Sequence, residues 1–505
     1  MEKMGGVLLR AVSTFLILVV VSFTMLWLGN KLNDSGMAVT RFLARAHAPL
    51  TAQLTYPQQA RDQITVVMYD REFLQATGSA WPISYQDHAD WLLRLTGDPS
   101  ARPKAIMLDI TFGQERNDPT LAALQQALCT IQNEFKVPVF LAALASPQDG
   151  QLRVRSGLEA GTPGTSSACF TLVGVDYVPD PLDGLAWSYQ LSRYWDGTQW
   201  QPGRSNEAAQ SFPAYRSAAL SMAQDVARID MGEETVPMAL VWGFNSAPQR
   251  QRPEQRVGCR VGEFDWGMLV PGKLEKLWQN DVAPPALCPY HQTLSMAQLG
   301  QLPEDELAPY LAGRYVMVGA QVPGYNDFAD SPVHGIVPGI HMHAMALDNL
   351  LTYKGDYKLS ADWTLPPAWT LFWPGLSVIF VVFLVHQGWV FFINTVRVRW
   401  RWLRKKHGLS QRKASLSERL PNSLANPGYR TRQLKNFVGT AVVWIAQIWV
   451  QLAVSLLFIA VLQYSSRVGM LPVVELLAMT VVAQSLDYVD KLRCFLAGKP
   501  PASSR

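Results

Sequence analysis

The sequence predicts an α/β protein: a Rossmann-like, mostly parallel sheet in a large outward domain, joined to an α-helical bundle of four membrane spans. Three observations predict it. Short continuous apolar runs alternate with amphipathic stretches between residues 64 and 144. Four longer apolar runs each approach or exceed the roughly 20 residues that a bilayer crossing needs. Positive charge is gathered in the segments that border those runs.

Residues 1–10 form a short cytoplasmic N-terminus. The first span, 11–29, reads "AVSTFLILVVVSFTMLWLG". A cleaved secretory signal has an apolar core of about 7–15 residues followed by a small-residue cleavage site. This run is longer and ends in "NKLNDSG", so it reads as an uncleaved anchor.

The outward domain covers 30–366. "ITVVMYD", "KAIMLDITF" and "VPVFLAAL" read as strands, separated by helices at "SYQDHADWLLRLTG" and "DPTLAALQQALCTIQNEF". In the first helix Ala89, Leu92, Leu93 and Leu95 face a core. Continuously apolar strands separated by helices argue for a parallel sheet covered on both faces. "MALVWGF" and "RYVMVGAQV" read as further strands, and "IVPGIHMHAMALDNLL" supplies the helix after the latter. Residues 150–310 are less regular and read as an insertion on the same sheet. Within it, Asp196-Gly197 between aromatic arms signals a hairpin. Its Trp187, Tyr189, Tyr194, Trp195 and Trp200 suit stacking on a sugar or partner, or simply cover the insertion. A helix interrupted near Pro213 follows, and "AGTPGTSS" lacks the lysine of a phosphate-binding loop.

The remaining spans are 371–393, 437–464 and 468–486, with a basic loop at 395–435 and a tail at 487–505. The loop carries twelve Lys and Arg against Glu418. The whole chain is only +4, which leaves residues 30–366 about 10 charges negative. Basic loops stay in the cytoplasm. The chain therefore places both termini and the loop in the cytoplasm of a bacterial inner-membrane protein, with the acidic domain in the periplasm. Arg397, Arg399, Arg401, Arg404, Lys405 and Lys406, interleaved with Trp400 and Trp402, suit anionic lipid headgroups. That membrane adjacency favours lipid over nucleic acid. Glu475, Gln447, Gln451 and His386 are polar within the spans. They suit contacts inside the bundle or with a partner helix.

Cys129, Cys169, Cys259 and Cys288 all fall in the outward domain, where an oxidising compartment favours disulfides. Sequence proximity favours Cys129–Cys169 and Cys259–Cys288 among the three possible pairings. Cys494 alone lies inside.

Asp70 ends the first strand and Asp109 the second. Ligands of open parallel sheets bind beyond the carboxyl ends of the strands. The two carboxylates suit a metal, a cationic ligand or acid–base work there, or each caps the following helix or orders its loop. His341 and His343 lie two residues apart in a helical pattern, about 200° around its axis, and do not share a metal. A capping or buried hydrogen-bonding role suits His343.

"ITVVMYDREFL", "WPISYQDHADWLLRL", "AIMLDITF", "GRYVMVGAQVPGYNDFADSP" and "GIVPGIHMHAMALDNLL", in that order, resemble the CHASE2 extracellular sensor domain of bacterial receptors. The resemblance covers roughly residues 40 to 355. Positions carried over are Asp70, Trp81, Pro82, His88, Asp109, Gly319, Asp327, Pro332, Pro338, Gly339, His343 and Asp348. His341 stands where the family often has an acid. The resemblance implies an anchor before the domain, about three spans after it, and no defined ligand. Asp70, Arg71, Trp81, Asp109, Asp327, His341 and His343 are the candidate ligand-binding residues, and no cofactor is expected.

Receptors of this kind commonly continue into a kinase or cyclase, and no such motif follows the last span here. The expected function is a sensor subunit, a non-enzyme, that relays through its bundle to a separate effector as a dimer or larger homo-oligomer. A scaffold of an envelope-spanning complex is the alternative. A metal-assisted hydrolase built on Asp70, Asp109 and Asp327 is a further, weaker one.

Overall fold

The structure is a computed structural model. It describes residues 56–360, apart from 147–149, 159–167, 182, 196–199, 203–213, 232–235, 248–286, 323 and 325–326, and scattered positions from 12 to 53 and from 376 to 467. The chain divides into two units: residues 41–365 with 463–470, and the remainder.

In the first unit, β1 (Ile64–Asp70) is followed by α1 (Arg71–Thr77) and α2 (Tyr85–Thr96). Ser84 starts α2 through a capping box with Asp87, which satisfies otherwise orphaned N–H groups. Its buried face is Tyr85, His88, Ala89, Leu92, Leu95 and Thr96. Leu93, expected there, is only half-buried, and His88 joins the face instead. Next come β2 (Ala105–Leu108), α3 (Leu121–Cys129) with a wider turn over Thr130–Glu134, β3 (Val139–Ala145), β4 (Leu152–Arg153) and β5 (Thr171–Gly174).

The middle of the unit contributes β6 (Ser188–Tyr189), β7 (Ser192–Trp195), β8 (Trp200–Pro202), β9 (Ala214–Arg216), α4 (Ala218–Asp225) and β10 (Met238–Ala239). Then follow β11 (Gln292–Ser295), α5 (Met296–Gln301), α6 (Ala308–Leu311), β12 (Tyr315–Gln321), β13 (Phe328–Ser331), β14 (Gly335–Pro338) and α7 (Gly339–Tyr353).

The main sheet runs β11-β1-β12-β2-β3, with β5 parallel to β3 and the short β4 antiparallel to it. The expected mostly parallel sheet is therefore present. One face carries α4 and α7 over Val66, Met68, Met107 and Met317. The other carries α1, α2, α3, α5 and α6 over Val67, Ile106, Leu108, Leu141 and Val318. In α7, Met342, Met345, Leu347 and Leu350 are buried, and each such side chain stabilises by about 1.5–3 kcal/mol.

Residues 150–310, read as an insertion on the same sheet, supply β5 and β11 to it. "MALVWGF" is not a main-sheet strand either. Only Met238 and Ala239 pair, with β6. Beyond them Asn349 takes both backbone groups of Val241: its Oδ1 accepts from the N–H and its Nδ2 donates to the carbonyl. The aromatic hairpin is present as β7–β8. Trp195 pairs with Trp200, and Asp196-Gly197 between them lies outside the described residues. Cys129 and Cys169 form the expected disulfide. Cys288 is also disulfide-bonded, while Cys259 lies outside the described residues.

In the second unit the described positions at 12–20, 376–399 and 449–461 are helical. Phe15 lies against Phe380 and Phe383, with ring centroids 5.6 Å apart in both pairs. Leu16, Val20, Phe391 and Phe392 are exposed. Among the described residues no helix is long and apolar enough to cross a membrane. Glu475, Gln447, Gln451, His386, Arg397, Arg401, Arg404, Lys405 and Lys406 lie outside the described residues, and Arg399 is helical and exposed.

Candidate functional site

In an open parallel sheet, a crevice opens where neighbouring strands send their connections to opposite faces. β12 is such a strand. It lies between β1 and β2, whose following helices pack on one face, and it leads to α7 on the other. Asp109 is the first residue past β2, and its N–H donates to the carbonyl of Val318 on β12 at 2.8 Å. Asp327 lies in the connection after β12, and its carbonyl accepts from the N–H of Gly339, the first residue of α7. Asp327's carboxylate sits against that glycine so closely that a Cβ there would stand 2.3 Å from Oδ1. His343 enters from the next positions of the same helix. The crevice thus gathers two carboxyls and an imidazole from three segments.

His343 is held in one orientation by a directed chain. The Leu220 N–H, at the start of α4, donates to Ser217 Oγ at 3.3 Å. Ser217 and the Ala219 N–H in turn hydrogen-bond the phenol oxygen of Tyr189. With its oxygen accepting these, Tyr189 donates to His343 Nδ1 at 2.7 Å. The proton of neutral His343 then sits on Nε2, facing Asp109 Oδ2 at 3.9 Å. That separation is too long for a hydrogen bond. Burial holds the imidazole down to about 4, against the pull of Asp327 and Asp176.

Asp109 is only 6% exposed, and its Oδ2 has no hydrogen-bond partner. Burial pushes its carboxyl up to about 7. Burial, and next the charge of Asp109, push Asp327 up to about 6, with His343 opposing. Asp176, two residues past β5, lies close enough to act on His343, but its own carboxylate is engaged by the Tyr215 hydroxyl and by Arg193 at 3.9 Å. Tyr215 reaches it across Gly174, where a Cβ would meet the ring at 2.2 Å.

The other candidates lie elsewhere. Asp70 caps α1: Oδ1 accepts from the Phe73 N–H and from Ser295 Oγ, both at 2.8 Å. This is the helix-capping alternative. For Asp109 that alternative fails, because no helix starts until Leu121 and the carboxylate is left without a donor. Arg71 is exposed on α1. Trp81 packs against Tyr69 and His88 in the core under α2. His341 is buried on a different side of α7 from His343, within electrostatic reach of His291 and His334. Burial lowers it to about 3.

A second buried network surrounds Asp348 near the end of α7. The Tyr56 hydroxyl donates to Oδ1, and His291 Nε2 meets Oδ2 at 3.0 Å. Asn349 Nδ2 donates to the Tyr56 oxygen at 3.1 Å. This ties the segment before β1 to the domain's last helix. All its members have partners, so it reads as architecture. Among the described residues no group of three His, Cys, Asp or Glu is placed to hold a metal.

Sequence reasoning missed Tyr189 as a partner of His343, together with Ser217, Asp176 and Tyr215. Asp176 had a usable signal: "TLVGVD" is a short apolar run ending in Asp, as in the first two strands.

The family model of the CHASE2 domain matches residues 12–386. The chain belongs to the CHASE2 family. The match is wider than the 40–355 stretch that carries the motifs, and it takes in most of the apolar runs at 11–29 and 371–393. CHASE2 domains are sensory rather than catalytic, and typically extracellular or periplasmic. No curated protein and no solved structure matches the chain.

Proposed function

We propose that this CHASE2 protein is an inner-membrane sensor subunit. Its periplasmic domain binds a small ligand in the Asp109–Asp327–His343 crevice and signals through α7 and the spans to a separate effector. The observation that carries the reading is the position of α7. Its first turns bring His343 to the crevice, and its last residue leads into the turn Lys354–Asp356. There Arg467, from the segment between the third and fourth expected spans, donates to the Gly355 carbonyl at 2.9 Å. Arg467 also lies over the Tyr357 ring, and its carbonyl accepts from the Leu359 N–H. One rigid element therefore connects the ligand site to a membrane-proximal contact. The charge asymmetry and the exposed apolar side chains at helical positions support the membrane placement, with lipid headgroups at the basic loop. We take the working unit as a homo-oligomer.

A scaffold reading is favoured by one feature, the outward-facing Ile336 and Phe328 on the β13–β14 hairpin, which suit a protein contact. Affinity purification from native membranes separates the two. A sensor retains an effector whose association changes in Arg467→Ala. A scaffold holds a constant partner that Arg467→Ala leaves bound and Ile336→Ser releases.

A further inference from the structure

Resting on that reading, we infer that the crevice takes an organic cation with N–H donors, a primary ammonium group, seated between Asp109 and Asp327. Three observations lead there. Among the described residues Asp109 Oδ2 is a buried acceptor with no donor, and a group left so costs about 1–3 kcal/mol. Among the described residues neither Asp109 nor Asp327 forms an ion pair with Lys or Arg, whereas Asp176 has Arg193. Finally, His343 Nε2 stands 3.9 Å from Asp109 Oδ2, too far for the hydrogen bond that would satisfy that oxygen.

The chemistry of the walls selects among cations. His343 presents an N–H toward the crevice, because its Nδ1 is occupied by the Tyr189 proton. An N–H repels a bare metal ion, and two carboxyls fall short of a metal's usual coordination. An ammonium needs two or three acceptors, which the carboxyls supply. A ligand oxygen beside it would accept from His343 Nε2.

The groups facing the ammonium position are Asp109, Asp327 and His343, backed by Tyr189, Asp176, Tyr215 and Arg193. Asp109 and Asp327 both lose their negative charge as pH falls from 8 to 5.5. Ammonium affinity therefore rises with pH over that interval.

The test uses the purified full-length chain in detergent. n-Butylamine and 1,4-diaminobutane are titrated by calorimetry beside 1-butanol, MgCl2 and CaCl2. Saturable amine binding is expected, at about millimolar strength for so small a probe. It should weaken at least about 10-fold from pH 8 to 5.5, be absent for butanol, and be lost in Asp109→Asn and Asp327→Asn but kept in Asp70→Asn. Should Asp109→Asn fail to fold, Asp327→Asn decides. No saturable amine binding, binding equal in the Asn variants, or binding of the divalent ions in place of amines overturns the inference. An effector still released by Arg467→Ala would then leave the sensor reading standing and remove only the ligand class.

Discussion

Asp109 is a buried side chain whose Oδ2 accepts no hydrogen bond among the described residues, with His343 Nε2 standing off at 3.9 Å. A carboxyl raised to about 7 stabilises the folded state fully only below its unfolded value near 3.8, and that contribution is lost as pH rises through 7. At pH 8 the native domain therefore buries an unwanted charge. Asp109→Asn removes it, so the thermal midpoint of the variant should rise above wild type at pH 8 and converge with it at pH 5. A fall at pH 8 would show that the carboxylate is a structural acceptor instead. Tyr189 has the opposite character. Tyr189→Phe leaves His343 Nδ1 and the Ala219 N–H without their partner and should destabilise by about 1–3 kcal/mol in chemical denaturation. It should also weaken ligand binding, because the imidazole no longer has one fixed tautomer.

At the scale of elements, α7 is the part on which most else depends. It approaches β12 closely because Gly319 has no side chain: a Cβ there would lie 2.8 Å from Ile340 Cβ. Gly319→Ala should lift the helix and cost about 1–3 kcal/mol, read as a lower denaturation midpoint. Arg467→Ala should cost less than about 1 kcal/mol, since its side chain is half-exposed, yet it should alter effector association. The elements differ in how legible they were. β1 and β12 are uninterrupted apolar runs buried on both faces, and their bounds could be read directly. β11 reads "QTLS" and was missed, because its polar Gln292 is accommodated only by Arg314 from a distant turn. "MALVWGF" has strand composition, but its backbone is met by the Asn349 amide, which no local pattern reveals. In the crevice, Asp109 was legible from its place at a strand end. Tyr189 comes from a two-residue strand whose position only tertiary packing defines.

For the whole molecule, the balance of buried titratable groups sets the response to acid. His88, His334, His341 and His343 are held down to about 3 to 4, chiefly by burial. Each remains neutral when folded and gains a proton on unfolding, so its stabilisation is complete above about 6.5 and is lost as pH falls toward 4. Asp109, Asp327 and Asp330 act in the opposite sense but are fewer. Stability should fall below about pH 6, with each unbalanced proton contributing about 1.4 kcal/mol per pH unit. Denaturation between pH 4 and 8 would check this, and restoration of part of the acid stability by His88→Phe would identify one contributor. The hydrogen bonds joining Tyr56 to Asp348 and Asn349, with the Tyr56 and Tyr353 rings 6.0 Å apart, carry a further consequence. Tyr56, just before the first strand, and Tyr353, at the end of α7, therefore meet at one spot. The folded body, cut before Tyr56 and after Ser360 so that the buried Tyr357 and the Met238–Leu359 pairing are kept, can be grafted into a surface loop of an unrelated host. The graft would make a transplantable recognition module whose occupancy is read out by the host.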